Sequence, residues 1–295
     1  MPNWPQIAER IRSHTGNRGE LDDVLAVGGG CINTAHRLTL GGTRYFVKTN
    51  DAQALDMFDA ERDGLAELQA SHGIRVPTPL LTGVDGGTAF LVMEYLDLGG
   101  AADGARLGEG LAALHHHDWT EQGQPRFGWW RDNTIGATPQ INTPADQWAR
   151  FWAQHRLGFQ LELAVQRGAH SLLDRGQRLL EALPALFSDY RPAASLLHGD
   201  LWSGNYAYLA GGEPVIFDPA VYYGDREADL AMTELFGGFP NEFYAAYRAA
   251  YPLDPGYPLR KVLYNLYHVL NHYNLFGGGY LAQASGMVDR LLGEL

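Results

Sequence analysis

The sequence predicts an α+β protein of two lobes: a small antiparallel-sheet lobe with one key helix, then a larger, mainly helical lobe. Three observations carry that expectation. Strand-like runs, one pair of them joined by Gly41-Gly42, fill much of the first hundred residues, with a single amphipathic stretch among them. From Leu107 onward long segments with helical periodicity dominate. Between the two regimes "DLGGAADG" (97–104) is rich in glycine and polar residues, which places the boundary there, with lobes at 1–96 and 97–295.

The elements follow in order. "LAVGGGCINTAHRLTLGGTRYFVKTN" (25–50) reads as strand, glycine turn, strand, Gly-Gly turn, strand. In 52–68, Leu55, Phe58, Leu65 and Leu68 share one helical stripe. "GIRVPTPLLTGV" and "GTAFLVMEYL" supply further strands, the second a nearly continuous apolar run suited to a buried position. Helices are expected over "RLGEGLAALHHHD", "PADQWARFWAQHRLGFQLELAVQRG" and "SLLDRGQRLLEALPALFSD". After the loop "HGDLWSGN" (198–205) comes a hairpin, "YAYLAGGEPVIFD", and then helices in "DREADLAMTELFGG", "NEFYAAYRAAY" and "LRKVLYNLYHVLNHYNLF".

Composition narrows the function classes. Apolar residues make up 45% and charged residues 19% of 295, ordinary for a globular chain, and no run approaches a membrane span. "MPNWPQIAERIRSH" lacks the basic flank and apolar segment of a secretory signal, so a cytoplasmic protein is expected. The net charge of −12 argues against a nucleic-acid partner and suits an amine-bearing substrate or plain solubility. Of 22 basic residues only Lys48 and Lys261 are lysine, so each is a candidate for a role a guanidinium cannot fill. The single cysteine, Cys31, excludes an intrachain disulfide and a thiolate zinc cluster.

The candidate chemistry is distributed along the chain. Lys48 shares a strand face with Phe46, and Glu61 projects from the apolar face of the following helix. An ion pair facing a cleft is one reading; a snorkelling lysine and a glutamate at the stripe's edge is the other. Gly28, Gly29 and Gly30 would let backbone N–H groups approach phosphate oxygens, or would serve a plain turn. "PVIFDPA" ends a short strand in Asp218, and Asn205 with Asp218 would offer hard oxygen ligands for Mg²⁺. Asp200, ionised at neutral pH, could accept the hydrogen bond of an attacking hydroxyl. Glycine loop, strand Lys, helix Glu, H-x-D-L-x-x-x-N and a strand-ending Asp form, in that order, the set of parts found in protein-kinase-like phosphotransferases.

Over about residues 24–280 the chain closely resembles the fructosamine (ketosamine) kinase family, relatives of the aminoglycoside and choline kinases. "GGGCINTA", "YFVKTN", "LDMFDAERDGL", "FLVMEYL", "HGDLWSGN", "VIFDPAVYYGDREADLAM" and "NLYHVLNHYNLFGGGY" carry the resemblance. It implies a bilobal protein-kinase-like fold and ATP- and Mg²⁺-dependent phosphorylation of the 3-hydroxyl of ketosamines, a deglycation repair. It also implies that Asp200 is the base, that Asn205 and Asp218 bind the metal, and that Lys48, oriented by Glu61, holds the α and β phosphates. Met93, Glu94, Tyr95 and Leu96 would form the hinge that receives adenine. "DPA" in place of D-F-G, and the short stretch after it, favour a small-molecule kinase over a protein kinase.

The remaining candidates concern the acceptor. Trp202 could stack on a sugar, and His268, Asn271 and His272 could line its site, or these helical aromatics and polar groups could be core. The acceptor would be a small ketosamine or a glycated protein lysine. Rival readings are a kinase for another amine-bearing alcohol, a catalytically silent nucleotide binder and, last, a metal-dependent hydrolase. His115, His116 and His117 are assigned to helix-end capping, Asp225 to an N-cap, and Asp229 to bonding the backbone of the catalytic loop. Trp129 and Trp130 read equally as loop packing or family signature. Cys31 is either an inert small residue or a redox-sensitive thiol able to join two chains, so both monomer and homodimer are open.

Overall fold

The computed structural model describes residues 2–28, 32–118 and 126–295. Along the chain the elements are α1 (Trp4–Thr15), β1 (Leu21–Val27), β2 (Thr34–Leu40), β3 (Thr43–Asp51), α2 (Leu55–Ala70), β4 (Pro79–Asp85), β5 (Thr88–Glu94) and α3 (Gly104–His116). Then come β6 (Asn133–Ile135), β7 (Thr138–Gln140), α4 (Trp148–Phe151), a π-helical segment (Trp152–Gly158), α5 (Phe159–Gln166), α6 (Leu173–Ala182) and β8 (Ser195–Leu197). The chain closes with β9 (Tyr206–Tyr208), β10 (Pro214–Ile216), β11 (Tyr222–Gly224), α7 (Glu227–Thr233), α8 (Asn241–Ala250), α9 (Tyr257–Phe276) and α10 (Tyr280–Glu294). None of the described helices is long and apolar enough to cross a membrane.

Two compact units result, one of residues 1–103 with 207–219 and one of 104–206 with 220–295. The first is built on an antiparallel sheet in the order β1-β2-β3-β5-β4. Gly41 and Gly42, at φ 52° and 78°, make the tight β2–β3 turn that right-handed strand twist favours. Alternation along β3 sends Tyr45 and Val47 to one face, where they meet Ile7, Ala8 and Ile11 of α1 and Leu38, Leu40, Phe90 and Val92. The other face is left for Lys48. α2 packs along β4 and β5, burying Phe58, Leu65 and Leu68.

The hairpin region 207–219, set by the sequence reading in the second lobe, clusters with this first unit. Backbone pairing explains why. Gly99 and Gly100 N–H donate to the Tyr208 carbonyl (3.0 and 3.2 Å), Ala210 N–H donates to Asp97 O (3.1 Å), and Ile216 N–H donates to Arg75 O (3.0 Å).

The second unit is mainly helical, with α3 packed on α8 and α9 on α5, α7 and α10. Strand β8 pairs antiparallel with β11 and β6 with β7, so two short hydrogen-bonded pairs interrupt the helices. The long helix expected around residues 144–168 is observed as α4, a π turn and α5 in unbroken succession. Gly158 makes the π turn possible, since a Cβ there would lie 2.4 Å from the Ala153 carbonyl oxygen.

Candidate functional site

In the first unit the sheet and α2 bring Lys48 and Glu61 together, and the end of the β9–β10 hairpin adds Asp218. Lys48 Nζ lies 2.5 Å from Glu61 Oε1 and 2.6 Å from Asp218 Oδ1. The lysine and glutamate side chains are 8% and 11% exposed, that of Asp218 45%. Burial opposes the charge on Lys48, but Asp218 and Glu61 outweigh it and hold the ammonium pKa above its ordinary value. Burial, reinforced by the Asp218 charge and opposed by Lys48, raises the Glu61 carboxyl. Asp218 adopts φ +58°, a left-handed conformation costly for a non-glycine residue and found mostly where function or packing demands it. Of the two readings of Lys48 and Glu61, the ion pair is the one observed.

Around this triad the other first-unit candidates divide. Gly28 is described, and a Cβ there would meet nothing within 4 Å. Gly29, Gly30 and Cys31, with the dimer suggested through that thiol, lie outside the described residues. Downstream of them Asn50 Nδ2 donates to Ile32 O (3.2 Å) and Asn33 Oδ1 (2.8 Å), tying the end of the glycine segment to β3. Met93 is buried at the end of β5, next to Glu94, whose carboxylate takes a two-oxygen contact from Arg75 at 2.5 Å. The Glu94 N–H donates to Thr78 O, so that donor is already used. Tyr95 packs under the Arg44 guanidinium (4.9 Å), and Leu96 follows, half-buried.

In the second unit the "HGDLWSGN" loop is gripped from below. The buried Asp229 carboxylate accepts the N–H groups of His198 (2.7 Å) and Gly199 (2.8 Å) and contacts His115 Nε2 (3.2 Å). His115 Nδ1 in turn meets Tyr247 Oη at 2.8 Å. Burial alone would raise the Asp229 carboxyl; the bond and charge of His115, with His198 and the Gly199 amide, bring it below the ordinary range. The expected backbone-bonding role of Asp229 is therefore observed, whereas His115 departs from helix-end capping. It sits one turn beyond Leu111, on the inner face of α3, and serves as the carboxylate's buried partner.

Gly199 has φ +82°, and a Cβ there would come 2.0 Å from the Ala220 oxygen, so the chain passes too close for any side chain. Asp200 follows it directly, and Asn205 Nδ2 donates to the Asp200 carbonyl (2.8 Å), closing the loop on itself. Asp225 Oδ1 accepts the Glu227 N–H (3.0 Å), but Arg226 rather than Asp225 is the N-cap of α7. The fully buried Asp225 carboxylate also accepts the hydroxyls of Tyr190 (2.9 Å) and Tyr264 (2.5 Å).

The acceptor candidates have different environments. Trp202 is 39% exposed and covers Gly204. Ser203 Oγ donates to Phe236 O (3.3 Å), and the Phe236 ring packs at a tilt against His272 (4.6 Å, 48°), which also touches Phe276 and Tyr280. Phe236 was missed in the sequence because it lies far from the α9 residues it joins. His268 is buried and its pKa is pushed down by burial to about 3, which keeps it neutral. His272 is lowered in the same direction, again chiefly by burial. Asn271 is buried with its amide committed to Gln160 Nε2 (3.2 Å) and Ile135 O (3.3 Å), contacts that serve packing. Trp129 is buried and Trp130 66% exposed.

Comparison with known proteins fits this chemistry. A family model described as fructosamine kinase matches residues 3–294. The chain is 50% identical over 98% of its length to a probable ketoamine kinase of Synechocystis sp., covering 97% of that protein. It is 44% identical over 94% of its length to the chloroplastic protein-ribulosamine 3-kinase of Oryza sativa subsp. japonica, covering 81% of it. Among solved structures, a Thermobifida fusca protein named as a fructosamine-3-kinase superposes with a TM-score of 0.83 at 35% identity, covering 97% of this chain and 98% of that one. An aminoglycoside phosphotransferase, at 17% identity, a TM-score of 0.59 and 97% and 98% coverage, shares the bilobal protein-kinase-like fold alone.

Proposed function

The chain belongs to the fructosamine kinase family, and from that membership we propose that it is an ATP-dependent kinase of the 3-hydroxyl of ketosamines. The observation that carries the reading is the Lys48 ammonium held between Glu61 and Asp218, a buried, fixed cation of the kind that nucleotide phosphates would need. Lys48 would receive the α and β phosphates, with Glu61 fixing its direction. With the Glu94 N–H spent on Thr78, the backbone of the hinge from Met93 to Leu96 would meet adenine through its remaining groups. Gly28, and Gly29 and Gly30 beyond it, would approach the phosphates.

Asp200 would accept the hydrogen bond of the sugar 3-hydroxyl and aim its oxygen at the γ phosphorus. A P–O bond forms to the sugar as the bond to the β-phosphate oxygen breaks, and ADP leaves. Asp200 has the chemistry of a weak base, so the alcohol proton transfers to it late and then passes to solvent.

Asn205 and Asp218 are the proposed metal ligands. The Asn205 amide donates its N–H to the Asp200 carbonyl; its oxygen would be the metal-binding atom, and Asp218 would supply a carboxylate. That donor set of hard oxygens fits Mg²⁺, which when bound would neutralise charge on the phosphates. Trp202 and the His272 cluster are the proposed acceptor surface, with His268 behind it as a neutral partner. The 3-phosphate so formed makes the adduct prone to spontaneous breakdown, which would give deglycation as the outcome.

The test is ADP release from ATP and Mg²⁺ with fructosamine and ribulosamine derivatives of lysine, a glycated protein, and an aminoglycoside and choline as controls. Turnover with ketosamines and none with the controls is expected. Turnover with a control alone would overturn the reading.

A further inference from the structure

Arg156 lies where a cation is hard to accommodate. It is fully buried, inside the π-helical segment, and among the described residues no carboxylate is ion-paired with it. Its charge is met by oxygens and rings instead. Nη1 donates to Ile141 O (2.6 Å) and His155 O (3.1 Å), Nη2 donates to Asn142 Oδ1 (2.7 Å), and the guanidinium lies over Tyr222 (4.0 Å) and Phe151 (4.6 Å). Such an arrangement costs stability, so its presence calls for a role beyond packing.

What depends on it is a string of side-chain amides. Asn142 Nδ2 donates to Asn133 Oδ1 (2.8 Å), which also accepts Gln140 Nε2 (2.8 Å). The same Gln140 nitrogen donates to Ala220 O (3.0 Å), and Asn133 Nδ2 donates to Val221 O (2.8 Å). Tyr267 Oη supplies Gln140 Oε1 (2.8 Å). Ala220 N–H then donates to His198 O (2.8 Å), and Gly199 runs against the Ala220 oxygen. An amide can face either way, but a guanidinium only donates. Arg156 therefore forces the Asn142 oxygen toward itself, which turns its NH₂ to Asn133 and sets the sense of every later link.

We propose that Arg156 is a positioning residue for phosphoryl transfer: through Asn142, Asn133 and Gln140 it fixes Ala220 and Val221, the backbone that seats His198 and Gly199 and so aims Asp200. The inference rests on the proposed role of Asp200. Burial chiefly raises the Tyr267 hydroxyl pKa, with the Arg156 charge opposing the rise and the Asp200 charge adding to it.

The variants are Arg156→Met, Arg156→Lys, Gln140→Leu and the double R156M/Q140L. With a ketosamine acceptor, Arg156→Met should lower kcat about 100-fold and leave KM for ATP within about threefold, the scale of a small misplacement of a reacting group. Arg156→Lys, still a donor-only cation, should recover about tenfold of that, and the double variant should be no worse than its poorer single. Hydrogen exchange supplies a reading that needs no substrate. The peptide spanning 196–206 should exchange at least about tenfold faster in Arg156→Met, while the β3 peptide stays as in wild type. If Arg156→Met does not fold, Gln140→Leu cuts the string one link from Ala220 and is judged by the same readouts. Loop exchange that is unchanged, or raised uniformly through the second unit, overturns the proposal, as do additive losses of kcat. Should wild type phosphorylate no ketosamine, the proposed function fails while the exchange data still decide the role of Arg156.

Discussion

Removing Lys48 and removing Glu61 should have unequal consequences, because one ammonium serves two carboxylates. At 2.5 Å and an effective dielectric near 20, the attraction to Glu61 alone is about 6–7 kcal/mol before desolvation is subtracted. Breaking a buried pair from one side costs about 3–5 kcal/mol net, because the partner is stranded. Lys48→Met strands Glu61 in a buried position beside a second carboxylate, so the full range applies to Glu61. Asp218, nearly half exposed, adds little. Glu61→Gln, by contrast, leaves Lys48 paired with Asp218 and should cost about 1 kcal/mol.

The pH dependence separates the two further. In Lys48→Met the carboxyl pKa in the folded state rises above its unfolded value, so the folded form binds the extra proton and stability falls as pH rises through that value. The Lys48→Met variant should therefore regain stability as the pH is lowered toward the ordinary carboxylate range. In wild type the raised Lys48 pKa contributes fully below the lysine's unfolded value and is lost only in strong alkali. Urea unfolding at several pH values reads both. A Lys48→Met protein with wild-type stability and a wild-type pH profile would refute the coupling.

Three further outcomes are expected. Asp200→Asn should lower kcat by about three orders of magnitude with ATP affinity preserved, by steady-state kinetics and nucleotide titration. Gly199→Ala, forcing a Cβ onto the Ala220 oxygen at φ +82°, should destabilise the second unit by roughly 3 kcal/mol and depress kcat, read by thermal melts and turnover. Since His268 is neutral when folded, its pKa pushed down to about 3 by burial, the unfolded chain binds its proton first. Stability should drop as pH falls from about 6.5 toward 3, by at most about 1.4 kcal/mol per pH unit from this residue, and His268→Phe should flatten the slope.

Local pattern made much of this legible. The Gly41-Gly42 turn and the inward Glu61 on the Phe58–Leu65 stripe could each be read from spacing of a few residues, whereas Asp229 bonds the loop backbone from 30 and 31 residues away. Helix α1 carried readable signals in its Asn3 cap and in Gly16 at φ 74°, yet its apolar face is only Ile7, Ala8 and Ile11 and depends on the sheet for burial. α10, with Gly286 mid-helix, likewise depends on α9. The β8–β11 pair joins residues 195–197 to 222–224, three residues a side, too short and too distant for any periodicity. Arg156 and its amides were hidden for the same reason. A buried polar network is defined by partners remote in sequence, and the π turn that presents Arg156 left only Gly158 as a trace.

Locating the phosphate on the product tests the central claim most directly. Phosphorus–proton correlation NMR of the ketosamine after incubation with ATP and Mg²⁺ should show a new phosphate coupled to the proton on carbon 3 of the sugar, and none after incubation with Asp200→Asn. Phosphate on another oxygen, or equal transfer by Asp200→Asn, would contradict the account.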